Sequence, residues 1–174
     1  MQLKNFLVAA CMALPVLAES TNSTDIAPKL QTRLAQIDIG YKTTYLSLNQ
    51  AVSGNGNATI DVRALTAATE DGALDKNQPT AALPDTTQLV LCQAYHSLAL
   101  SGIELNSAFV ENLDSFSKSQ RHSIASTLSK VSSETSRFSS QVARKALSYC
   151  YDTIRYDEKV INNSLQEAMS ALRN

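Results

Sequence analysis

From position 25 onward, apolar residues recur at intervals of three and four, which is the spacing of helices that bury one face. The first run predicts a helix over 25–52, capped by Asp25 or Thr24, with inward positions Ile26, Leu30, Leu34, Ile37, Tyr41, Tyr45, Leu48 and Val52. The Ser-Gly-Asn-Gly segment that follows ends this helix, because two glycines in four residues favour a turn. A weaker pattern predicts a short helix over about 59–74, with inward positions Val62, Leu65 and Ala68.

Three longer patterns follow a proline-containing loop at 76–84. The first begins at Asp85, where Asp85 and Gln88 predict a capping box, and its main stripe is Leu91, Tyr95, Leu98, Gly102, Leu105, Phe109, Leu113 and Phe116. A second line widens its buried face: Cys92, Ala99, Ile103 and Val110. The next helix has inward positions Ile124, Leu128, Val131, Thr135, Phe138 and Val142. The last has Ile154, Ile161, Leu165, Ala168 and Leu172, and the boundary between these two is predicted near 148–152.

These lengths decide the predicted architecture. Each of the four longer helices is ~36–48 Å long at 1.5 Å per residue. Helices of similar length joined by short connections pack as antiparallel neighbours. We therefore predict an all-α fold, an antiparallel bundle of four long helices plus one short helix.

The N-terminus predicts secretion. Lys4 precedes an apolar run from Phe6 to Leu17, and positions 16–18 carry small or apolar residues where a signal peptidase cuts. A run of about a dozen residues is shorter than the roughly 20 needed to span a bilayer, so we interpret 1–18 as a signal peptide and 19–174 as one helical-bundle domain. No second apolar run approaches spanning length, so no transmembrane anchor is predicted.

The cysteines and the glycosylation sequons agree with secretion. Removal of the signal peptide removes Cys11 and leaves Cys92 and Cys150, which predicts one disulfide in an oxidising compartment, the alternative being two buried thiols. Three Asn-x-Ser/Thr sequons predict N-glycosylation, at Asn22, Asn57 and Asn162. Asn57, beside the glycine turn, is the favoured acceptor, whereas Asn162 falls within a predicted helix.

Composition narrows the function classes. With 15 Lys and Arg against 16 Asp and Glu, the chain has no basic footprint for nucleic acid. Neither histidine, His96 or His122, has a metal-ligand partner at helical spacing, and no nucleophile motif is present. Asp157 and Glu158 form a pair typical of a solvated helix face. We predict a protein that is not an enzyme and needs no cofactor.

Two features point to apolar partners. Gly102 interrupts an apolar stripe, and it either lets another helix approach closely or leaves a cavity. The second reading predicts a lipid-sized pocket between helices, lined by Leu98, Gly102, Leu105, Phe109, Val131 and Phe138. In addition, the polar face of the fourth predicted helix is rich in uncharged serine, which costs less to bring against an apolar surface than charge does.

The order of these elements resembles the fungal hydrophobic surface-binding protein A and cell-wall galactomannoprotein family. The resemblance lies in the signal peptide, the opening Ile26-Leu30-Leu34-Ile37 helix, the short variable helix and the long Leu/Ala-rich helix that runs into a Phe-Ser junction at 116–120. It implies a non-catalytic, extracellular or cell-wall helical bundle that binds hydrophobic surfaces, recruits a secreted esterase there, or captures a fatty acid. The Cys92/Cys150 pair departs from that family and favours a closed pocket over opening on a surface.

A second resemblance is to plant invertase and pectin methylesterase inhibitors. Leu91-Cys92-Gln93-Ala94-Tyr95 within a long helix, followed by a later cysteine, is similar to those secreted four-helix bundles. That resemblance implies a protein-binding bundle, and a secreted effector that uses the bundle as a scaffold is a further alternative.

Overall fold

The computed structural model describes residues 26–54, Val62, Leu65 and 81–174. Within these residues the chain forms four long helices: α1 (Ile26–Ser53), α2 (Asp85–Glu111), α3 (Lys118–Arg137) and α4 (Tyr151–Arg173). The predicted all-α bundle is confirmed. The predicted caps Asp25 and Thr24 lie outside the described residues, as does most of the predicted short helix, although Leu65 is helical and buried and Val62 packs against the core.

The start of α2 corrects the predicted capping box. Asp85 is the first residue of the helix and Pro84 precedes it, with no side-chain cap. Gln88 is buried instead, where its Nε2 donates to the Leu83 carbonyl at 2.6 Å and its Oε1 accepts from the Tyr149 backbone N–H at 2.9 Å. The glutamine therefore ties three segments together rather than closing its own helix end.

The α2–α3 junction also differs from the prediction. The α-helix ends at Glu111, and a 3₁₀ turn covers Leu113–Ser115. Leu113 and Phe116, which the predicted stripe included, therefore lie beyond the end of α2. A capping box begins α3: Ser117 Oγ accepts from the Gln120 N–H, and Gln120 Oε1 accepts from the Ser117 N–H. Phe116 is nevertheless buried, with its ring edge-on to Phe109 at 6.0 Å.

The segment between α3 and α4 is irregular. A π-helical segment, Phe138–Ala143, follows α3 and leads into an α-helical turn at Arg144–Ala146. A 3₁₀ turn at Ser148–Cys150 then precedes α4, so the boundary predicted near 148–152 is confirmed. The predicted inward positions of α3 and α4 are buried throughout.

The helices are joined by specific polar pairs. Helix α1 packs on α2, α2 on α4, and α4 on α3. Asp38 accepts from Ser101 between α1 and α2, at 2.7 Å, and Asn106 donates to Ser164 between α2 and α4, at 2.9 Å. His96 and Asp157 form a second α2–α4 pair, and both pairs advance together along the two helices, which shows that α2 and α4 run parallel.

The predicted disulfide is confirmed. Cys92 on α2 is bonded to Cys150, the last residue of the 3₁₀ turn before α4, with a Cα–Cα distance of 6.4 Å. Because Gln88 lies one turn away on α2 and bonds the adjacent Tyr149, the same corner of the bundle is held by a covalent link and two hydrogen bonds.

Candidate functional site

The predicted pocket residues all lie in the core. Leu98, Leu105, Phe109 and Val131 have no exposed surface, and Phe138 is almost as buried. The Phe138 ring stacks on Tyr95 with centroids 5.1 Å apart, which joins α2 to the end of α3. The structure thus places these side chains in the bundle interior, where an acyl chain would have to lie to be shielded from water.

Gly102 marks a close helix approach. A Cβ at this position would lie 2.6 Å from Ile161 Cδ1 and 2.9 Å from the Tyr41 ring carbon Cζ. Side chains of α1 and α4 therefore already occupy the space that a cavity here would need. Of the two interpretations of Gly102, close packing is the one that the structure has.

A buried charge lies on the inner face of α1. Arg33 is 4% exposed, and within the part of the chain that the structure describes its Nε, Nη1 and Nη2 atoms have no hydrogen-bond acceptor. Its nearest charged partner is Glu134 of α3, whose Oε2 lies 3.9 Å from Arg33 Nη2, beyond hydrogen-bond distance. Glu134 Oε1 accepts instead from Arg137 at 3.3 Å, on its own helix.

Three hydroxyl groups extend this polar interior. Tyr41, Thr44 and Tyr95 are fully buried, and none of their hydroxyls has a hydrogen-bond partner among the described residues. Burial, reinforced by Tyr95, raises the pKa of Tyr41 far above its usual value, and burial, reinforced by Glu158 and Asp157, does the same for the pKa of Tyr95. The two tyrosines therefore stay neutral inside the bundle, and all three hydroxyls can donate to or accept from a polar group of a bound ligand.

A surface groove of about 610 Å³ lies beside the disulfide, between α2 and the start of α4. Its apolar walls are Leu89, Leu100 and Tyr149, which are 49%, 55% and 72% exposed. His96 also lines the groove, and its Nδ1 lies 3.0 Å from Asp157 Oδ2. This volume is within the usual range for a small-molecule site, and the wall residues are large enough to meet an apolar surface.

Asp157 corrects the prediction of a solvated acidic pair. It is buried against α2 by its contact with the exposed ring of His96, whereas Glu158 is half-buried. The residue at 157 therefore belongs to the α2–α4 interface and not to a solvated helix face.

Of the three sequons, Asn162 is within the described residues and the others, Asn22 and Asn57, are outside them. Asn162 lies in α4, where its Nδ2 donates to Ser136 Oγ at 3.0 Å and its Oδ1 accepts from Ser132 Oγ at 3.1 Å. A glycan on this nitrogen would disturb a bond between α3 and α4. The serine-rich face of α3 is therefore divided, since Ser132 and Ser136 bind α4 while an outer row is exposed: Ser119, Ser123, Ser126, Ser129, Ser133 and Ser140.

The predicted pocket omitted the polar interior. Arg33 and Glu134 were not among its residues, although each is three residues from a predicted inward position, Leu30 and Val131. Helical spacing places both residues on the buried side of their helices, but their charge is typical of an exposed position, so the spacing alone did not identify them.

Comparisons with known proteins identify the fold. No protein-family model and no curated protein sequence matches the chain. The structure matches the crystal structure of AfMP4p, an Aspergillus fumigatus mannoprotein, in complex with palmitic acid, with a TM-score of 0.65 at 19% sequence identity. The match covers 84% of this chain and 99% of the AfMP4p chain, so the chain has a fungal mannoprotein-like fold.

None of the helices within the described residues is long and apolar enough to cross a membrane.

Proposed function

We propose that this protein is a secreted, non-catalytic lipid carrier that holds a long-chain fatty acid among the interior side chains of its helical bundle. The observation that carries the proposal is the fold match, because the matched structure, AfMP4p, contains palmitic acid and is covered over nearly its whole length. The Cys92–Cys150 bond supports the extracellular part of the proposal, since disulfides persist in oxidising compartments.

The interior of this chain suits an acyl chain in its composition. The predicted pocket residues supply apolar walls from α2 and α3, and the neutral hydroxyls of Tyr41, Thr44 and Tyr95 add no charge to them. Uptake requires these side chains to move apart, because Tyr41 and Ile161 fill the space beside Gly102. Burial of the acyl chain, about 0.8 kcal/mol per methylene, offsets the cost of that movement.

Native mass spectrometry of the purified protein tests this function. We expect one palmitate per chain, either co-purified or taken up on addition. Octanoate is the matched control, because its eight missing methylenes weaken binding by more than about a thousandfold at 0.8 kcal/mol each. A protein that remains unliganded in the presence of excess palmitate, or that binds the two acids alike, contradicts the proposal.

A second function, adsorption to apolar surfaces, is favoured by the groove beside the disulfide. Leu89, Leu100 and Tyr149 expose large apolar groups on one side of the bundle. Such a surface would also be the place to which a secreted esterase is recruited. This adsorption requires no opening of the bundle, so the disulfide does not oppose it.

Depletion of the protein from solution by oil droplets tests adsorption. We expect Leu89→Ser with Leu100→Ser to weaken adsorption about 30-fold or more, because each substitution removes apolar surface worth about 1–2 kcal/mol when it is covered. Ile39→Ser with Leu46→Ser is the matched control, since these residues of α1 are equally exposed but lie outside the groove. Equal loss in both pairs would show that the groove has no special role.

A further inference from the structure

The guanidinium group of Arg33 has an ion-pair partner but no hydrogen-bond acceptor among the described residues, and this requires an explanation. Among the residues that the structure describes, Arg33 is the one lysine or arginine side chain that is buried. It shares the inner face of α1 with Leu30, Leu34 and Ile37. All three of its nitrogen atoms lack an acceptor. A charge removed from water costs several kcal/mol unless it is paired and hydrogen-bonded, so a native protein rarely leaves one in this state.

Glu134 does not meet that requirement. Its Oε2 is 3.9 Å from Arg33 and has no hydrogen bond, while its Oε1 is bonded to Arg137. The carboxylate is thus held on α3 by its own helix and faces Arg33 across the interior without closing on it. The guanidinium group of Arg33 keeps a vacant planar fork of N–H donors.

The surroundings of the fork are apolar on both helices. On α3, Glu134 lies between Val131 and Phe138, one turn to either side, and both belong to the predicted pocket. On α1, Leu34 and Ile37 lie beside Arg33 on the buried face. A polar head bound at Arg33 would therefore be continuous with the side chains that would hold an acyl chain.

We propose that Arg33 is the anchor for the carboxylate of the bound fatty acid, an inference that rests on the function proposed above. A guanidinium group binds a carboxylate through two parallel N–H···O bonds, and this charge-assisted geometry is stronger than any bond that Arg33 makes in the structure. Glu134 keeps its bond to Arg137, and the positive charge of Arg33 favours an anionic head group over a neutral one. The ligand class is thus a long-chain carboxylate rather than an alcohol, ester or hydrocarbon.

Comparison of palmitate with hexadecanol, by native mass spectrometry of the full chain, tests the anchor. The two ligands share a sixteen-carbon chain and differ in the head group. We expect the wild-type protein to prefer palmitate by about 10- to 100-fold, the range for a hydrogen bond to a charged group. Arg33→Met keeps the apolar stem and removes the charge, so it should abolish that preference while hexadecanol still binds.

Two further variants separate anchoring from a structural role. Lys42→Met removes one positive charge from an exposed position on the same helix and should leave the preference intact. Glu134→Gln removes the carboxylate that faces Arg33 and should keep or increase the preference, whereas a merely structural ion pair would make Glu134→Gln and Arg33→Met behave alike. Should Arg33→Met fail to fold, Arg33→Gln is measured in its place on the same readout.

The outcomes distinguish the two proposals. If neither ligand binds the wild-type protein, the fatty-acid function fails. If both bind and Arg33→Met retains the palmitate preference, the function stands and the anchor is wrong. If the preference is lost in Glu134→Gln as well, the pair is structural and the anchor is likewise overturned.

Discussion

Removal of the Cys92–Cys150 bond is expected to lower the free energy of unfolding by about 4 kcal/mol. The bond joins residues that are 58 positions apart, and in the chain-entropy model a loop of that length constrains the unfolded chain by about that amount. Because domains are stable by only about 5–15 kcal/mol, this loss is a large part of the total. Urea denaturation of Cys92→Ala with Cys150→Ala, compared with the oxidised wild-type protein, measures it.

The paired substitution is the appropriate one, because either single variant would leave a free thiol that forms new bonds. Reduced wild-type protein is a second comparison and should unfold at nearly the same urea concentration as the double variant. A loss of less than about 1 kcal/mol would mean that the corner at Tyr149 is held mainly by Gln88 and not by the covalent link.

Replacement of Gly102 by valine is expected to cost about 3 kcal/mol, the upper end of the range for overpacking a core. The first added carbon already lies 2.6 Å from Ile161 and 2.9 Å from Tyr41, and valine adds two more. The Tyr41 ring is fully buried, so a shift of the ring away from the new side chain would disturb the core residues packed around it. The midpoint of urea unfolding, measured with circular dichroism, should fall without loss of helix content in the folded state.

Alanine at the same position identifies the contact responsible. Gly102→Ala gains about 1 kcal/mol of helix propensity against its clash, so its net loss is smaller than that of valine. Ile161→Val removes the Cδ1 atom that the new methyl group would meet and costs about 0.5–1.5 kcal/mol alone. In the Gly102→Ala background it should cost less or stabilise, and strictly additive effects would show that Ile161 does not limit the space.

The helices were predictable because apolar periodicity is a local property. The predicted helix over 25–52 agrees with α1, and the stripes of α3 and α4 identify buried positions correctly. The ends were harder, since α2 and α3 both begin near a polar residue that lies three positions before a glutamine, Asp85 in one case and Ser117 in the other. Ser117 forms a capping box with Gln120, whereas Gln88 turns toward Leu83 and Tyr149. That choice depends on a segment 61 residues away, which no local pattern contains.

The sequence predicted the apolar side chains of the candidate site but not its polar interior, the buried Arg33 and Glu134. Phe109, Val131 and Phe138 follow from helical spacing and are buried as predicted. Arg33 has the same spacing, but a charged residue within an apolar stripe is identified as buried only when its surroundings on the other helices are known. The groove beside Tyr149 likewise requires the packing of α2 against the 3₁₀ turn, and its exposed leucines are unremarkable in sequence.

The parallel contact between α2 and α4 has a kinetic consequence. The residues that pair across it, such as His96 with Asp157 and Asn106 with Ser164, are 61 and 58 positions apart, so a hairpin of neighbouring helices cannot form them. Folding must close a large loop before these contacts stabilise the chain, and proteins with such non-local contacts fold more slowly than simple helical hairpins. Cys92 and Cys150 span the same interval, so early oxidation would join α2 to the start of α4 before α3 has packed. The loop that brings these two helices together would then already be closed when their contacts form.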